Sequence, residues 1–240
     1  MPGVTTYQWT PLIDALDLLR QAIARDADFA SALALAAYCH ASLDGIGRVA
    51  DRDANRQKAL DLAHRALRVA GDDALALAAT AHVLGYFNED IHAAIATIDR
   101  SLALNPSLAY GWRWSGFARL YAGNPELAIE HFERSIRLNP RDLRWAQLTG
   151  IGIAHFFRRR FETSDTSLLP ALHENPTYPL ANRFLAACYA HMGRLDEARE
   201  VVARLRTITP LVVPLVTNYR DPQQRELFLS GLRLAAGETT

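Results

Sequence analysis

Four short segments with similar endings recur along the chain at nearly equal intervals. The segments SLALNP, SIRLNP, ALHENP and LRTITP end at Pro106, Pro140, Pro176 and Pro210, which are separated by 34, 36 and 34 residues. Each proline is expected to end a helix, because proline cannot continue one and restricts the residue before it. A fixed period of about this length, with one helical hairpin per unit, is typical of a helical solenoid. The spacing therefore predicts an all-α fold.

The clearest unit is WRWSGFARLYAGNPELAIEHFERSIRLNP, from Trp112 to Pro140. Its apolar residues recur at helical spacing in two runs. Gly123 suits the end of the first helix, and Pro125 suits the first turn of the second. One such hairpin cannot bury its apolar face alone, so neighbouring hairpins must stack and share a continuous core.

This unit resembles the tetratricopeptide repeat, whose pattern is W-x2-L-G-x2-Y, then A-x3-F, then P. Ser115 and Arg119 replace the Leu and Tyr of that pattern, and Asn182 stands at the Trp position of the last unit. The matching residues are Trp112, Gly116, Ala128, Phe132 and Pro140, and in the last unit Leu185, Ala186, Tyr189, Ala198, Val202 and Pro210. The resemblance implies a right-handed superhelical solenoid of antiparallel helix pairs that binds proteins or peptides.

The order of elements divides the chain into four parts. We expect residues 1–10 to be disordered or a linker, and 11–207 to form the solenoid, with an N-terminal half-repeat and about five hairpins. Residues 208–220 contain LVVPLVTNYR, which has no helical period, so an extended crossover is expected there. Asp221-Pro222 suits a helix start, so 221–236 is expected to be a C-terminal capping helix.

Two places depart from the regular repeat. LDGIGRVADRDAN, from Leu43 to Asn55, is read as an insertion that lengthens a turn, with the next helix starting near Arg56. It is either a tolerated surface loop or a binding loop on one rim. Pro170 lies inside a predicted second helix, so we expect a bend or a broken turn near Thr166–Pro170.

Composition and charge exclude several classes of protein. Lys plus Arg and Asp plus Glu are both 26, so the basic excess of a nucleic-acid binder is missing. No apolar run approaches the roughly 20 residues of a membrane span, and the N-terminus does not resemble a secretory signal. Cys39 and Cys188 fall on apolar helix faces, which indicates buried thiols without a disulfide. We therefore expect a cytoplasmic protein.

Sequence motifs for catalysis are missing. The chain has no HExxH, CxxC, Walker loop or GxSxG, and no two of its eight histidines have zinc-ligand spacing on one helix face. We therefore expect no enzyme activity, no cofactor and no metal site.

The better candidate site is the concave groove, which the first helices of the hairpins line in this repeat family. Aromatic residues together with Arg113 and Arg183 suit a peptide or helix that carries an acidic group. Alternatively, some of these side chains pack against a neighbouring hairpin or the C-terminal helix. The candidate groove residues are Tyr38, His82, Tyr86, Tyr110, Arg113, Phe117, Tyr121, Thr149, Phe157, Arg183 and His191.

A wider resemblance concerns the order of features. The leading half-repeat, GIGIAHFFRRRF and the terminal NYRDPQQRELFLSGLRLAAG are similar to the C-terminal repeat region of bacterial class III adenylate and guanylate cyclases. A similar region follows winged-helix domains in some transcriptional regulators. The resemblance implies the docking or regulatory segment of a larger signalling protein, without a catalytic core. The alternatives are a peptide or small-ligand sensor, and a self-association module that forms a homodimer.

Overall fold

The computed structural model describes residues 10–141, 144–214 and 218–238. These ranges contain twelve α-helices and no strand, which confirms the predicted all-α solenoid. None of the helices in them combines the length and the apolar character required to cross a bilayer. The helices are α1 (Thr10–Arg25), α2 (Ala30–Ile46), α3 (Arg52–Val69), α4 (Ala74–Tyr86), α5 (Ile91–Leu104), α6 (Ala109–Tyr121), α7 (Pro125–Leu138), α8 (Arg144–Phe157), α9 (Phe161–Glu174), α10 (Pro179–His191), α11 (Leu195–Ile208) and α12 (Pro222–Ala236).

The helices pair in chain order. The five hairpins are α2–α3, α4–α5, α6–α7, α8–α9 and α10–α11, while α1 packs on α2 and α12 packs on α10. The first helices of successive hairpins contact one another and line the inner side. In addition, α10 contacts α2, although four hairpin steps separate them along the chain. The array therefore curves until its first and last hairpins meet.

The tightest packing in the array involves the Phe132 ring of α7. This ring has no exposed surface and lies against Gly116 of α6 and Gly150 of α8. A Cβ atom added at Gly116 would lie 2.7 Å from the ring, and one added at Gly150 would lie 2.2 Å from it. Because neither distance is possible between non-bonded carbon atoms, both positions require glycine for the ring to occupy this place.

The asparagine at the repeat's tryptophan position keeps the hydrogen bond that the tryptophan makes. In the clearest unit, Trp112 Nε1 donates to the carbonyl of Pro106 at 2.9 Å. In the last hairpin, Asn182 Nδ2 donates to the carbonyl of Pro176 at 3.1 Å. Both prolines end the preceding hairpin, so the two side chains satisfy equivalent carbonyls.

The predicted insertion loop is wrong for most of its length. Helix α2 continues to Ile46 and α3 begins at Arg52, four residues before the expected start near Arg56. Only residues 47–51 connect the two helices. Gly47 adopts the left-handed conformation that ends α2, and the Asp51 side chain accepts a hydrogen bond from the Ala54 N–H to cap α3. These two caps let the helices extend into the segment read as a loop.

The broken turn predicted in α9 is wrong, and the bend stays a prediction. The helix is continuous from Phe161 to Glu174 with Pro170 inside it. The proline removes the hydrogen bond to the carbonyl of Thr166, four residues earlier. Both residues are exposed, so water can bind that carbonyl instead. A broken turn was expected because the proline was considered locally, without the side of the helix on which it lies.

The two cysteines are buried and free, as the sequence indicated. Burial raises the pKa of Cys39 to about 11 and that of Cys188 to about 12. The Cys188 thiol donates to the carbonyl of Phe161. Both thiols are therefore protonated at neutral pH and belong to the core.

Gly150→Ala should destabilise the fold, because the new methyl group overlaps the Phe132 ring. Overpacking of this kind costs about 1–3 kcal/mol, and this exceeds the gain of about 1 kcal/mol in helix propensity. The control is Gly85→Ala, whose Cβ would meet its nearest neighbour at an ordinary 3.4 Å. Urea unfolding measures both variants. Equal stability of the two would contradict the proposed fit of Phe132.

Pro170→Ala should increase the free energy of unfolding by about 1–3 kcal/mol, because it restores a helical hydrogen bond at an exposed site. The matched control is Pro222→Ala at the exposed first position of α12, where a proline N–H is not needed. Thermal unfolding compares the variants. A gain at residue 222 as large as that at residue 170 would rule out the helix-interior explanation.

Candidate functional site

The candidate groove residues lie on first helices, but they do not border an open groove. Most are buried, and Tyr110 is the most accessible, at 37% exposure. Two of them lie apart from the rest. The Thr149 hydroxyl donates to the Trp145 carbonyl of its own helix, and the His191 ring bonds to the Leu227 carbonyl of α12. The buried candidates are His82, Arg113, Phe117, Tyr121, Thr149, Phe157 and Arg183, and the half-buried ones are Tyr38, Tyr86 and His191.

The inner surface is partly covered by the chain's own segment between α11 and α12. We call residues 209–214 and 218–221 the crossover segment. Its Tyr219 side chain is 2% exposed, and its ring lies 4.9 Å from that of Phe157 and 5.7 Å from that of Tyr121. These two groove candidates therefore pack against the chain itself. The sequence analysis had considered such packing, but against a neighbouring hairpin or the C-terminal helix.

Arg220 anchors the end of the crossover segment. Its backbone N–H donates to the Tyr121 carbonyl at 2.9 Å. Its guanidinium donates to the carbonyls of Gly85 and Glu89, each at 2.8 Å. The three bonds tie the segment to the ends of α4 and α6.

Arg183 of α10 anchors the beginning of the same segment. Its guanidinium donates to the carbonyls of Leu211 at 2.7 Å and Val212 at 3.2 Å. A third bond, of 3.3 Å, goes to the carbonyl of Gly45 near the end of α2. The side chain is almost fully buried, and this burial lowers its pKa to about 10. Carbonyl dipoles surround this cation, and the bonds join three distant stretches of the chain.

The stretch that the sequence analysis read as an insertion contributes Asp44 to the inner surface. The carboxylate is buried and accepts two hydrogen bonds from Arg52, both of 3.0 Å. It also accepts one of 2.9 Å from the Tyr86 hydroxyl. Burial and the neighbouring Asp44 raise the pKa of Tyr86. The Asp44 carboxylate therefore already has hydrogen-bond donors within this cluster, from Arg52 and Tyr86.

A second region of the inner surface lies beyond the crossover segment. We call it the aromatic end, formed by Tyr38, His82, Tyr110, Arg113 and Trp114. The Trp114 ring lies 5.3 Å from the ring of Tyr38, 6.1 Å from that of His82 and 5.9 Å from that of Tyr110. The Arg113 guanidinium carbon lies 4.8 Å from the centre of the Tyr110 ring. Four of these residues were candidates from the sequence.

Sequence reasoning missed several residues of the inner surface. Trp114 was assigned to no face, and Asp44 belonged to the supposed loop. Tyr219 and Arg220 were quoted as a motif but given no place. Only the motif TNYRDP could have drawn attention to the last two, because their contacts lie far away in the sequence, up to 135 positions for Arg220.

His82 is neutral at physiological pH. Burial, followed by the positive charge of Arg113, lowers its pKa to about 3. Its Nδ1 atom is buried and has no hydrogen-bond partner in the part of the chain that the structure describes. The ring can therefore donate or accept a hydrogen bond, depending on its tautomer, without carrying charge.

The groups on the inner surface are of kinds suited to binding. Across residues 10–141, 144–214 and 218–238, no three His, Cys, Asp or Glu side chains are grouped so that they could hold a metal ion. Ser115 and His131 are hydrogen-bonded at 2.9 Å, but the serine is buried between α6 and α7, where a substrate cannot reach it. What the inner surface offers is rings, arginines and hydrogen-bond donors.

His82→Phe should make the fold less sensitive to acid. The folded pKa of about 3 lies below the ordinary value of 6.5, so the unfolded chain binds a proton first as the pH falls. This stability is complete above pH 6.5 and is lost progressively towards pH 3. Between pH 7 and pH 5 the loss from one such histidine is about 2 kcal/mol. Urea unfolding at both pH values should show that the variant lacks this loss, and equal losses would contradict the assignment.

Two segments of the chain match family models described as tetratricopeptide repeat, at residues 86–142 and 167–212. A search of curated proteins finds no match. Solved structures do match. The structure of TTC0263, a tetratricopeptide-repeat protein of Thermus thermophilus, has 24% sequence identity and a TM-score of 0.58, and the match covers 80% of this chain and 95% of that one.

Two further structures are similar in fold. PilW, a type IV pilus biogenesis factor, has 18% identity and a TM-score of 0.58, over 78% of this chain and 81% of that one. The monomeric IFIT1 mutant with Gppp-AAAA has 17% identity and a TM-score of 0.68, over 83% of this chain and 47% of that one. At these identities the likeness concerns the fold alone. Residues 86–142 and 167–212 thus match tetratricopeptide repeats within an all-α solenoid, a fold that generally serves as a protein–protein interaction module.

Proposed function

We propose that this chain is a non-catalytic interaction module that binds a peptide segment of a partner protein on its inner surface, at the aromatic end. The observation that carries the proposal is the crossover segment. The solenoid already holds this non-helical stretch of its own chain on the inner surface. A segment of similar form from a partner would meet the same kinds of groups.

The mode by which the crossover segment is held supports this proposal. Arg183 and Arg220 donate hydrogen bonds to backbone carbonyls, and such bonds do not depend on the sequence that is bound. The ring of Tyr219 is buried among other rings and supplies the side-chain fit. Backbone bonds that give affinity, with pockets that give specificity, are the usual means of recognising extended peptides.

The aromatic end is the part of the inner surface best suited to a partner. Tyr110 is 37% exposed and Tyr38 is half-buried, whereas Tyr121 and Phe157 are covered by Tyr219. Tyrosine and tryptophan side chains provide large, rigid contact areas with a polar edge, and they are enriched among the residues that dominate binding energy. Because the neighbouring Arg113 is positively charged, we expect the partner to carry an acidic group.

The cellular role is proposed from the sequence resemblance. A docking or regulatory segment of a cytoplasmic signalling protein, such as an adenylate cyclase, fits an interaction module without a catalytic core. The sensor region of a winged-helix transcriptional regulator is the alternative. No comparison bears on either parent, so both stay predictions. They share the requirement that the solenoid binds something on its inner surface.

Self-association is a second candidate, and one observation favours it. Helix α1 has no partner helix before it in the described residues, and it exposes Leu18 at 67% and Ile13 at 38%. Apolar side chains exposed on an end helix can pair with a second copy of the same face. Light scattering decides this alternative, because a monomeric mass at micromolar concentration would remove it.

Tyr110→Ala should weaken peptide binding by about tenfold or more, because it removes the accessible ring of the aromatic end. Peptides would be selected from a random display library on the full chain, and affinities measured by fluorescence anisotropy. The control is Leu104→Ala, which removes a similarly exposed apolar side chain (43%) from a second helix, α5. The proposal fails if no selected peptide distinguishes the two variants.

A further inference from the structure

Arg113 is a largely buried residue whose guanidinium has no acceptor in the described part of the chain, although none of its nitrogens is fully enclosed. This residue of α6 is only 3% exposed. In the described part of the chain its guanidinium makes no hydrogen bond and no ion pair. Its recorded contacts are with two rings, at 4.8 Å from the centre of Tyr110 and 5.8 Å from that of Trp114. Ring faces attract a cation, but they do not accept its N–H groups as a carbonyl or carboxylate does.

The other arginines of the inner surface are supplied with acceptors. Arg183 is equally buried and donates to three carbonyls, and Arg220 donates to carbonyls of three residues. Arg52 makes a two-pronged pair with Asp44. Arg113 differs from all of them. Because a buried charge without a partner is costly, native structures nearly always provide one, and an exception points to a bound group.

The neighbours of Arg113 are neutral polar groups, not anions. Trp114 Nε1 and His82 Nδ1 are both buried without a hydrogen-bond partner in the described ranges. Burial raises the pKa of Tyr178, whereas the positive charges of Arg113 and Arg183 act to lower it. The Tyr178 hydroxyl therefore lies near this region. The buried carboxylate of the inner surface, Asp44, is occupied by Arg52 and Tyr86. Within the ranges that the structure describes, the chain therefore offers no anion to Arg113.

We propose that Arg113 binds a single carboxylate group of a ligand, with the rings of the aromatic end packed around the group that carries it. This inference rests on the proposed function, in that the carboxylate belongs to a partner peptide, although a free small acid would present the same group. A guanidinium that stacks on a ring keeps its edge N–H groups available, and its planar fork matches a carboxylate in two parallel bonds.

The charge of the site favours a carboxylate over a phosphate. Arg113 contributes one positive charge, and Arg183 is already bound to carbonyls. His82 is neutral at physiological pH, so it adds a donor or acceptor but no charge. One carboxylate balances one guanidinium, whereas a phosphate would bring up to two negative charges into a buried site.

The test uses the full chain and matched probes in isothermal titration calorimetry. The probes are acetate, inorganic phosphate at the same ionic strength, N-acetylphenylalanine with its amide, and the peptide acetyl-GGFEGG-amide with its Glu→Gln counterpart. We expect the charged member of a pair to bind at least tenfold more tightly than its neutral match. A preference limited to N-acetylphenylalanine identifies a free acid as the source, and one shown by the glutamate peptide identifies a peptide.

Arg113→Gln should abolish this preference, and Arg113→Lys should retain part of it, because lysine keeps the charge but loses the fork. The matched control is Arg134→Gln, which removes an exposed arginine that lies 6.0 Å from the ring of Trp112. Equal binding of charged and neutral probes, stronger binding of phosphate than of acetate, or an unchanged preference in Arg113→Gln would each overturn the inference.

A stability measurement separates a binding site from a folding defect. Without ligand, Arg113→Met should have a higher urea midpoint than the wild type, since it removes an uncompensated buried charge. Saturating N-acetylphenylalanine or glutamate peptide should raise the midpoint of the wild type but not that of the variant. A lower midpoint for Arg113→Met in the absence of ligand would contradict the inference. If selected peptides bind wild type and Arg113→Gln equally well, the proposed function stands and the carboxylate site fails.

Discussion

The bonds of Arg183 are the interaction on which the shape of this solenoid depends. One buried guanidinium joins α10 to the end of α2 and to the crossover segment. Stacking between neighbouring hairpins determines curvature step by step, but it does not by itself bring the first and last hairpins together. Arg183 contributes to that long-range connection, because one guanidinium donates to carbonyls of the crossover segment and of α2. Arg48 adds a hydrogen bond to the Ile208 carbonyl.

This closure divides the inner surface into two parts with different properties. Where Arg183 and Arg220 meet the crossover segment, each guanidinium has backbone carbonyls as acceptors, and the rings of Tyr121 and Phe157 are covered. At the aromatic end, Arg113 has rings but no acceptor in the described part of the chain. The chain as a whole has equal numbers of acidic and basic residues, so the imbalance is local. We propose a peptide carboxylate because Arg113 lacks an acceptor there and because the ring of Tyr110 beside it is accessible.

The sequence was sufficient to predict the repeated hairpins, but not the contacts between residues that no period relates. The recurrence of the closing prolines, with Phe132 and Gly116 at repeat positions, was sufficient to predict the hairpins and the all-α solenoid. The path of the crossover segment could not be predicted, because its bonds join residues such as Gly85 and Arg220 that no period relates. The segment from Leu43 to Asn55 was read as a loop for the same reason, since its helical ends are stabilised by caps and by contacts with distant residues. A broken turn was expected at Pro170 because a local rule does not include the exposure on which the tolerance of a proline depends.

The central claim is that the crossover segment lies on the inner surface of the folded chain in solution. The amide of Arg220 reports on it directly, because this N–H donates to the Tyr121 carbonyl at 2.9 Å outside any helix. Residue-resolved hydrogen exchange by NMR should show it protected to an extent comparable with the amides of α10. Exchange of the Arg220 amide at the rate of an unstructured peptide would mean that the inner surface is open, and would contradict the account.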